Sequence, residues 1–190
     1  MSSPHLTEGL HVEEARIIPE LEIRENAKWL ALLIDTEGAI GWTLSLARYD
    51  RINEEYRYVY RYATPYVAVT MKELESRRTV EEAARLIGKE TRIRTSAVGR
   101  ERAFSQTAGR ALTAITLMKP YFDKFSRMAT LITTLFKHRT YIPAEKFAES
   151  IIALFGKAVT PKEANEIMLN MTEKEFNELI GKATKLSPSS

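Results

Sequence analysis

Residues 29–38 read Trp-Leu-Ala-Leu-Leu-Ile-Asp-Thr-Glu-Gly, an apolar helical run that stops in two acids and a glycine. Beyond Gly38 the apolar period changes from 3.6 to 2, with Ile40, Trp42, Leu44 and Leu46 alternating with Gly41, Thr43, Ser45 and Ala47. A helix therefore gives way to a half-buried strand at one glycine. Gly38 is expected to end the helix in the left-handed cap conformation. Glu37 is oddly placed, because a helix C-terminus carries partial negative charge. A carboxylate there costs a few tenths to about 1 kcal/mol unless a cation offsets it. The acid is either an accident of an ordinary helix end or half of a cation site.

The pattern continues along the chain. The spacing predicts a first long helix over 24–37, with Trp29, Leu30, Leu33 and Ile34 available for packing. Residues 49–53 read as the turn of a long hairpin. The returning strand has Tyr56, Tyr58, Tyr60 and Tyr62 on one face, continued by Thr64 and Tyr66, and Val67 and Val69 facing the core. Pro65 marks that strand as an edge or a bulge. A helix over 73–87 and a second hairpin follow, strands 91–97 and 100–107 around Val98-Gly99. Helices are predicted over 110–118, 121–137, 143–155, 161–170 and 172–182. Thr160-Pro161 and the capping box Thr172-Glu173-Lys174-Glu175 mark two of their starts. The chain divides into an N-terminal arm (1–23), a core (24–140), a C-terminal helical extension (141–186) and a frayed tail (187–190).

Composition narrows the functions. Of 190 residues, 44% are hydrophobic, which suffices for one real core, and 28% are charged. Without cysteine there are no disulfides or thiolate metal sites, and His5, His11 and His138 are too scattered for a zinc site. No apolar stretch reaches membrane-spanning length, and residues 1–20 lack a signal-peptide core, so an intracellular protein is expected. Gln106 is the sole glutamine, and scarce amides fit a hot environment, such as that of a thermophilic prokaryote. Net charge is only +3, but arginine dominates lysine between Arg48 and Arg110, and its rigid fork suits phosphates and guanine edges.

Leu30-Ala31-Leu32-Leu33-Ile34-Asp35-Thr36-Glu37-Gly38 resembles the signature of the LAGLIDADG homing endonucleases, departing at its third, seventh and eighth letters. Glu37 keeps the carboxylate, Thr36 replaces a small residue, and Leu32 stands where the family has a glycine that lets two such helices approach. Ala31 beside it remains small. The resemblance covers about residues 24–137. It implies an α+β fold, an αββαββα half-saddle here carrying extra C-terminal helices. With one motif per chain it also implies a homodimer joined through the motif helix, two chains making a continuous DNA-binding saddle. A two-fold dimer implies a nearly palindromic target. A monomer whose helix is covered by its own C-terminal segments is the alternative.

For chemistry, the resemblance implies site-specific cleavage of double-stranded DNA by Mg²⁺-dependent phosphodiester hydrolysis, leaving 3′ overhangs, by an enzyme encoded in an intron or intein. Glu37 is then the metal ligand, helped by the carbonyl of Thr36. Asp35 points about 200° away on the helix and is structural. A basic residue after a proline assists catalysis, for which Lys124, following Pro120, is the candidate and Arg127 the alternative. An intron-RNA maturase or a non-cutting DNA-binding regulator on the same scaffold is the rival reading. Retained Glu37 favours the nuclease, because a mere binder gains nothing from carboxylates beside phosphates.

A two-stranded ribbon fits the major groove. Thr43, Ser45, Tyr49 and Arg51 of the first strand face the groove, with Tyr60, Tyr62, Thr64 and Tyr66 from the second. The tyrosine ladder either contacts DNA or braces the sheet across strands. Arg92, Arg94 and Ser96, alternating with a buried Ile93, are stronger candidates. Arg100, Arg102 and Gln106 join them from the return strand.

Overall fold

The computed structural model describes residues 18–52 and 55–187, with the side chains of 46–60 outside that description. A short helix α1 (Pro19–Glu22) leads into the motif helix α2 (Arg24–Glu37), which passes directly into β1 (Gly38–Ile52). Strand β2 (Glu55–Lys72) returns and is followed by α3 (Glu73–Leu86), β3 (Arg92–Ser96), β4 (Gly99–Thr107) and α4 (Ala108–Met118). A 3₁₀ turn (Lys119–Tyr121) precedes α5 (Ser126–Leu135), so the helix expected from residue 121 begins only at Ser126. The C-terminal part comprises β5 (Ile142–Pro143), α6 (Ala144–Phe155), α7 (Pro161–Leu169) and α8 (Glu173–Leu186). Capping boxes start both α7, at Thr160 and Glu163, and α8, at Thr172 and Glu175.

The sheet is antiparallel, in the order β1-β2-β4-β3, with β5 added to β2. Cross-strand partners share a face. The pairs Ile40↔Val67, Gly38↔Val69 and Val69↔Phe104 therefore define the helix-covered face, and all but the glycine are 2% exposed or less. On that face the sheet meets Leu30 and Ile34 of α2, Val80 of α3 and Ile115 of α4 in one core. Burying each such side chain contributes about 2 kcal/mol. Ile18 and Leu21 are also buried, so the core reaches into the segment assigned to the N-terminal arm. Residues 1–17 of that arm, and 188–190 of the tail, lie outside the described residues.

Several expectations need correction. Pro65 marks no bulge, because the β1–β2 register runs unbroken through Trp42↔Pro65, but the side of β2 away from β1 is locally an edge there. On that side β2 changes partner, from β4 at Tyr66 to β5 at Tyr62–Ala63, and the proline falls in the gap. Leu44 is 57% exposed rather than core, because the hairpin runs out past the helices. Trp29 and Leu33 do not enter the core as expected. Ala27, Leu30, Ala31 and Ile34 take the inner face of α2, leaving Leu33 half-buried and Trp29 exposed.

Gly38 is not a left-handed cap: its φ of −116° and ψ of −168° are extended. A Cβ there would lie 2.8 Å from the Ala68 carbonyl oxygen and 2.9 Å from Ile34 Cα. Glycine is required because the end of α2 and strand β2 approach too closely for any side chain.

Candidate active site and nucleic-acid interface

The last carbonyls of a helix have no intrahelical donor, so the end of α2 presents free oxygens. Thr36 turns its hydroxyl back to donate to the carbonyls of Leu32 (3.2 Å) and Leu33 (3.0 Å), leaving its own carbonyl as the possible ligand. Glu37 is exposed and belongs to no ion pair among the described residues. No group of three or more His, Asp or Glu side chains that could hold a metal converges among them. Mg²⁺ is commonly held by one or two carboxylates plus substrate phosphates and water. One open carboxylate beside free carbonyls therefore fits that ion when DNA completes the shell.

Asp35 turns the other way. Its Oδ2 accepts from the Asp123 N–H at 2.6 Å and its Oδ1 from the Phe125 N–H at 3.0 Å, on either side of Lys124. Phe122 and Phe125 are buried, while Lys124 stands exposed with its Nζ 5.0 Å from the Phe125 ring centroid. Arg127 is not an alternative to Lys124. Its guanidinium donates to the carbonyls of Met168 and Met171 and lies 4.9 Å from the Phe176 ring, holding the C-terminal end of α7.

The sheet face opposite the helices carries Ala39, Gly41, Thr43 and Ser45 of β1 and Tyr62, Thr64, Tyr66, Ala68, Thr70 and Lys72 of β2. The register adds Glu101, Ala103 and Ser105 of β4, then Arg92 and Arg94 of β3, with Ser96 at the turn. Arg92 and Arg94 are exposed, forming rows with Ala103 and Thr70 and with Glu101 and Lys72. Thr43, Ser45, Tyr62 and Tyr66 are half-buried on this face. Burial raises the Tyr66 phenol above its ordinary pKa, so it is a neutral donor at physiological pH. Tyr62 stacks edge-on against Tyr141, with centroids 6.2 Å apart. The side chains of Tyr49, Arg51 and Tyr60 lie outside the described residues.

Three candidates sit elsewhere, and a fourth is buried. Arg100 and Arg102 pair with Thr95 and Ile93, which puts them on the opposite face from Arg94. Arg102 is 8% exposed and grips Glu73 through two 2.7 Å bonds, with a third to Thr91 Oγ1 at 2.7 Å. Its guanidinium holds the Glu73 carboxyl below the ordinary carboxylate range. The pair's stabilisation is therefore complete above the unfolded-state pKa and is lost as pH falls through the lowered folded one. Gln106, 7% exposed, faces the core, and its Oε1 accepts from the Thr107 N–H at the strand-to-helix turn. Thr64 shares the open face but is 1% exposed, its hydroxyl without a partner. Ile93, expected to be buried, is 43% exposed.

One part of this face was not foreseen. A Cβ on Gly41 would come 2.6 Å from Pro161 Cβ and 3.1 Å from Tyr66 Cε1. The start of α7 thus rests on the open side of β1, and Lys157 and Lys162, both exposed, flank that contact in the chain. The segment is 120 residues from Gly41 in sequence, and its only local signal was the helix start at Thr160-Pro161.

The motif helix runs through Gly38 into the first of two antiparallel hairpins, and the elements of the core follow in the order αββαββα. This is the order that the resemblance of the motif implied for one half-saddle. The chain matches no family model and no curated protein in sequence. Among solved structures, the homing endonuclease I-CvuI in complex with its target in the presence of 2 mM Ca aligns over 84% of this chain and 95% of that one, at 13% identity and a TM-score of 0.47. I-CvuI with the I-CreI target in the presence of 2 mM Mg, its DNA not cleaved, aligns over 86% and 96%, at 14% identity and a TM-score of 0.44. Residues 24–135 hold that series of elements, and α6 to α8 follow it in the chain. No helix among the described residues is long and apolar enough to cross a membrane.

Proposed function

We propose that this chain is a LAGLIDADG homing endonuclease. It works as a homodimer that cuts both strands of a long, nearly palindromic DNA site by Mg²⁺-dependent hydrolysis and leaves 3′ overhangs. The observation that carries this reading is Glu37: an exposed carboxylate at the negative end of a helix, without an ion pair among the described residues, on a molecule whose open sheet face bears arginines. Such a group is unfavourable in the free chain and becomes favourable when a divalent cation joins it to a phosphate.

Each residue has a task in that reading. Glu37 and the Thr36 carbonyl hold the ion, which when bound polarises the scissile phosphate and makes water a better nucleophile. Lys124 offers an ammonium to the charge that develops at the phosphate. Arg92 and Arg94, with Thr43, Ser45, Tyr62 and Tyr66, line the groove-facing sheet, and Lys157 and Lys162 meet the backbone beside β1. A duplex spanning the insertion site of the host intron or intein, incubated with Mg²⁺ or EDTA, tests the activity. Double-strand cleavage that appears only with the ion is expected, and intact DNA in both arms sinks the proposal.

The dimer rests on the outer face of α2. Trp29, Leu32, Leu33 and Thr36 follow the i, i+3, i+4, i+7 spacing of one stripe, and Trp29 and Leu32 are 38% and 52% exposed. Ala31 is fully buried on the other side and cannot ease the approach of a second helix. Leu32 therefore meets the partner with its full bulk. Leu32→Glu is expected to sediment as a monomer and to lose cleavage with the dimer. A cleaving dimer in that variant would remove α2 from the interface.

The two arginine classes separate in binding. Arg94→Ala should weaken DNA affinity and reduce the salt dependence by about 0.9 in log–log slope, the share of one phosphate contact. Arg102→Ala should lower the melting temperature and leave that slope unchanged. Equal slopes for wild type and Arg94→Ala would take Arg94 off the DNA.

A further inference from the structure

Helix α5 has no side-chain cap of its own: its N-cap residue is Phe125. The amides just before it are instead satisfied from α2, by the Asp35 carboxylate, across a sequence separation of 88 to 90 residues. A carboxylate at a helix N-terminus is held by both hydrogen bonds and dipole. The grip covers two points, Asp123 and Phe125, so the backbone of the one residue between them cannot shift without breaking a bond. That residue is Lys124. The flanking phenylalanines are anchored in the core, packed edge to face with centroids 6.4 Å apart. Asp35 and Glu37 leave the same helix turn in nearly opposite directions. One turn of α2 therefore carries the proposed metal ligand and the clamp on the proposed basic residue.

We infer that Asp35 is a positioning residue that sets Lys124 at its working distance from Glu37. This rests on the endonuclease reading above and deepens it. A merely structural Asp35 would affect folding and leave the contribution of Lys124 intact. A displacement of about 1 Å in a catalytic group costs on the order of 100-fold in rate.

The test is a double-mutant cycle in the full chain on a cleavable duplex. Asp35→Asn keeps one acceptor and turns an amide toward an N–H, while Asp35→Glu keeps the charge and lengthens the arm by one methylene. Both are expected to bind DNA like the wild type and to cleave about 100-fold more slowly. Lys124→Met should cost a similar factor alone, and almost nothing further in either Asp35 background. Losses that multiply instead would show that Asp35 does not act through Lys124. Full cleavage by a folded Asp35→Glu would overturn the inference as well. If Asp35→Asn fails to fold, Asp35→Glu decides the matter alone, with its melting temperature as control. A wild type that never cuts would bring down the endonuclease reading first and this inference with it.

Discussion

Glu37→Gln is expected to abolish cleavage at any Mg²⁺ concentration while binding the duplex as tightly as the wild type, or more tightly. The amide keeps the shape of the side chain and removes the charge. Losing the ion's stabilisation of developing charge costs several kcal/mol, so a fall of about a thousandfold or more follows. Binding is spared for the opposite reason, because a free carboxylate near phosphates repels them. Tighter binding with lost activity is the signature of a ligand that works on the bound ion. Cleavage by Glu37→Gln at the wild-type rate would end the metal assignment. A matching loss of affinity would instead mark Glu37 as a structural residue. Single-turnover rates in Mg²⁺ and binding in EDTA separate these outcomes.

Gly38→Ala should lower stability by about 2 kcal/mol, the usual range for forcing a methyl into a full site. In a chain of this size that is a fall of about 6 °C in melting temperature. The cause is contact with backbone: the methyl would meet the Ala68 carbonyl oxygen and Ile34 Cα, neither of which can rotate away. The backbone conformation at Gly38 is open to any residue. Gly38→Asn should therefore be worse than Ala, whereas at a left-handed cap asparagine would be the better replacement. A melting temperature unchanged in Gly38→Ala, or an asparagine variant that beats it, would refute the close-approach account. The same displacement moves Glu37, so cleavage should fall beyond what lost folding explains.

Much of this was legible in the chain. The bounds of α2, the pairing of β1 with β2 and the turn at Gly99 followed from apolar period and glycine position, which are local properties, whereas the turn expected at 49–53 is strand as far as Ile52. The site residues were less legible, for a specific reason. Alternation in a strand states that Arg94 and Arg102 lie on opposite faces of the β3–β4 ribbon, but not which face a helix will cover. Arg102 was offered to DNA because its acidic partner, Glu73, is 29 residues earlier on another element. Arg127 looked free for the same reason, its acceptors being the carbonyls that end α7. Gln106 reads as a groove residue in the sequence because one amide on a strand carries no mark of burial.

By itself the sequence determined the order of helices and strands from α2 to α4 and the carboxylate that ends α2, because hydrogen-bonding period and capping act over a few residues. Tertiary structure decided which arginines meet solvent, why residue 38 must lack a side chain, and that Asp35 reaches across to the amides around Lys124. Those outcomes depend on atoms brought together from 29 to 90 positions apart, where only packing determines which group finds which partner.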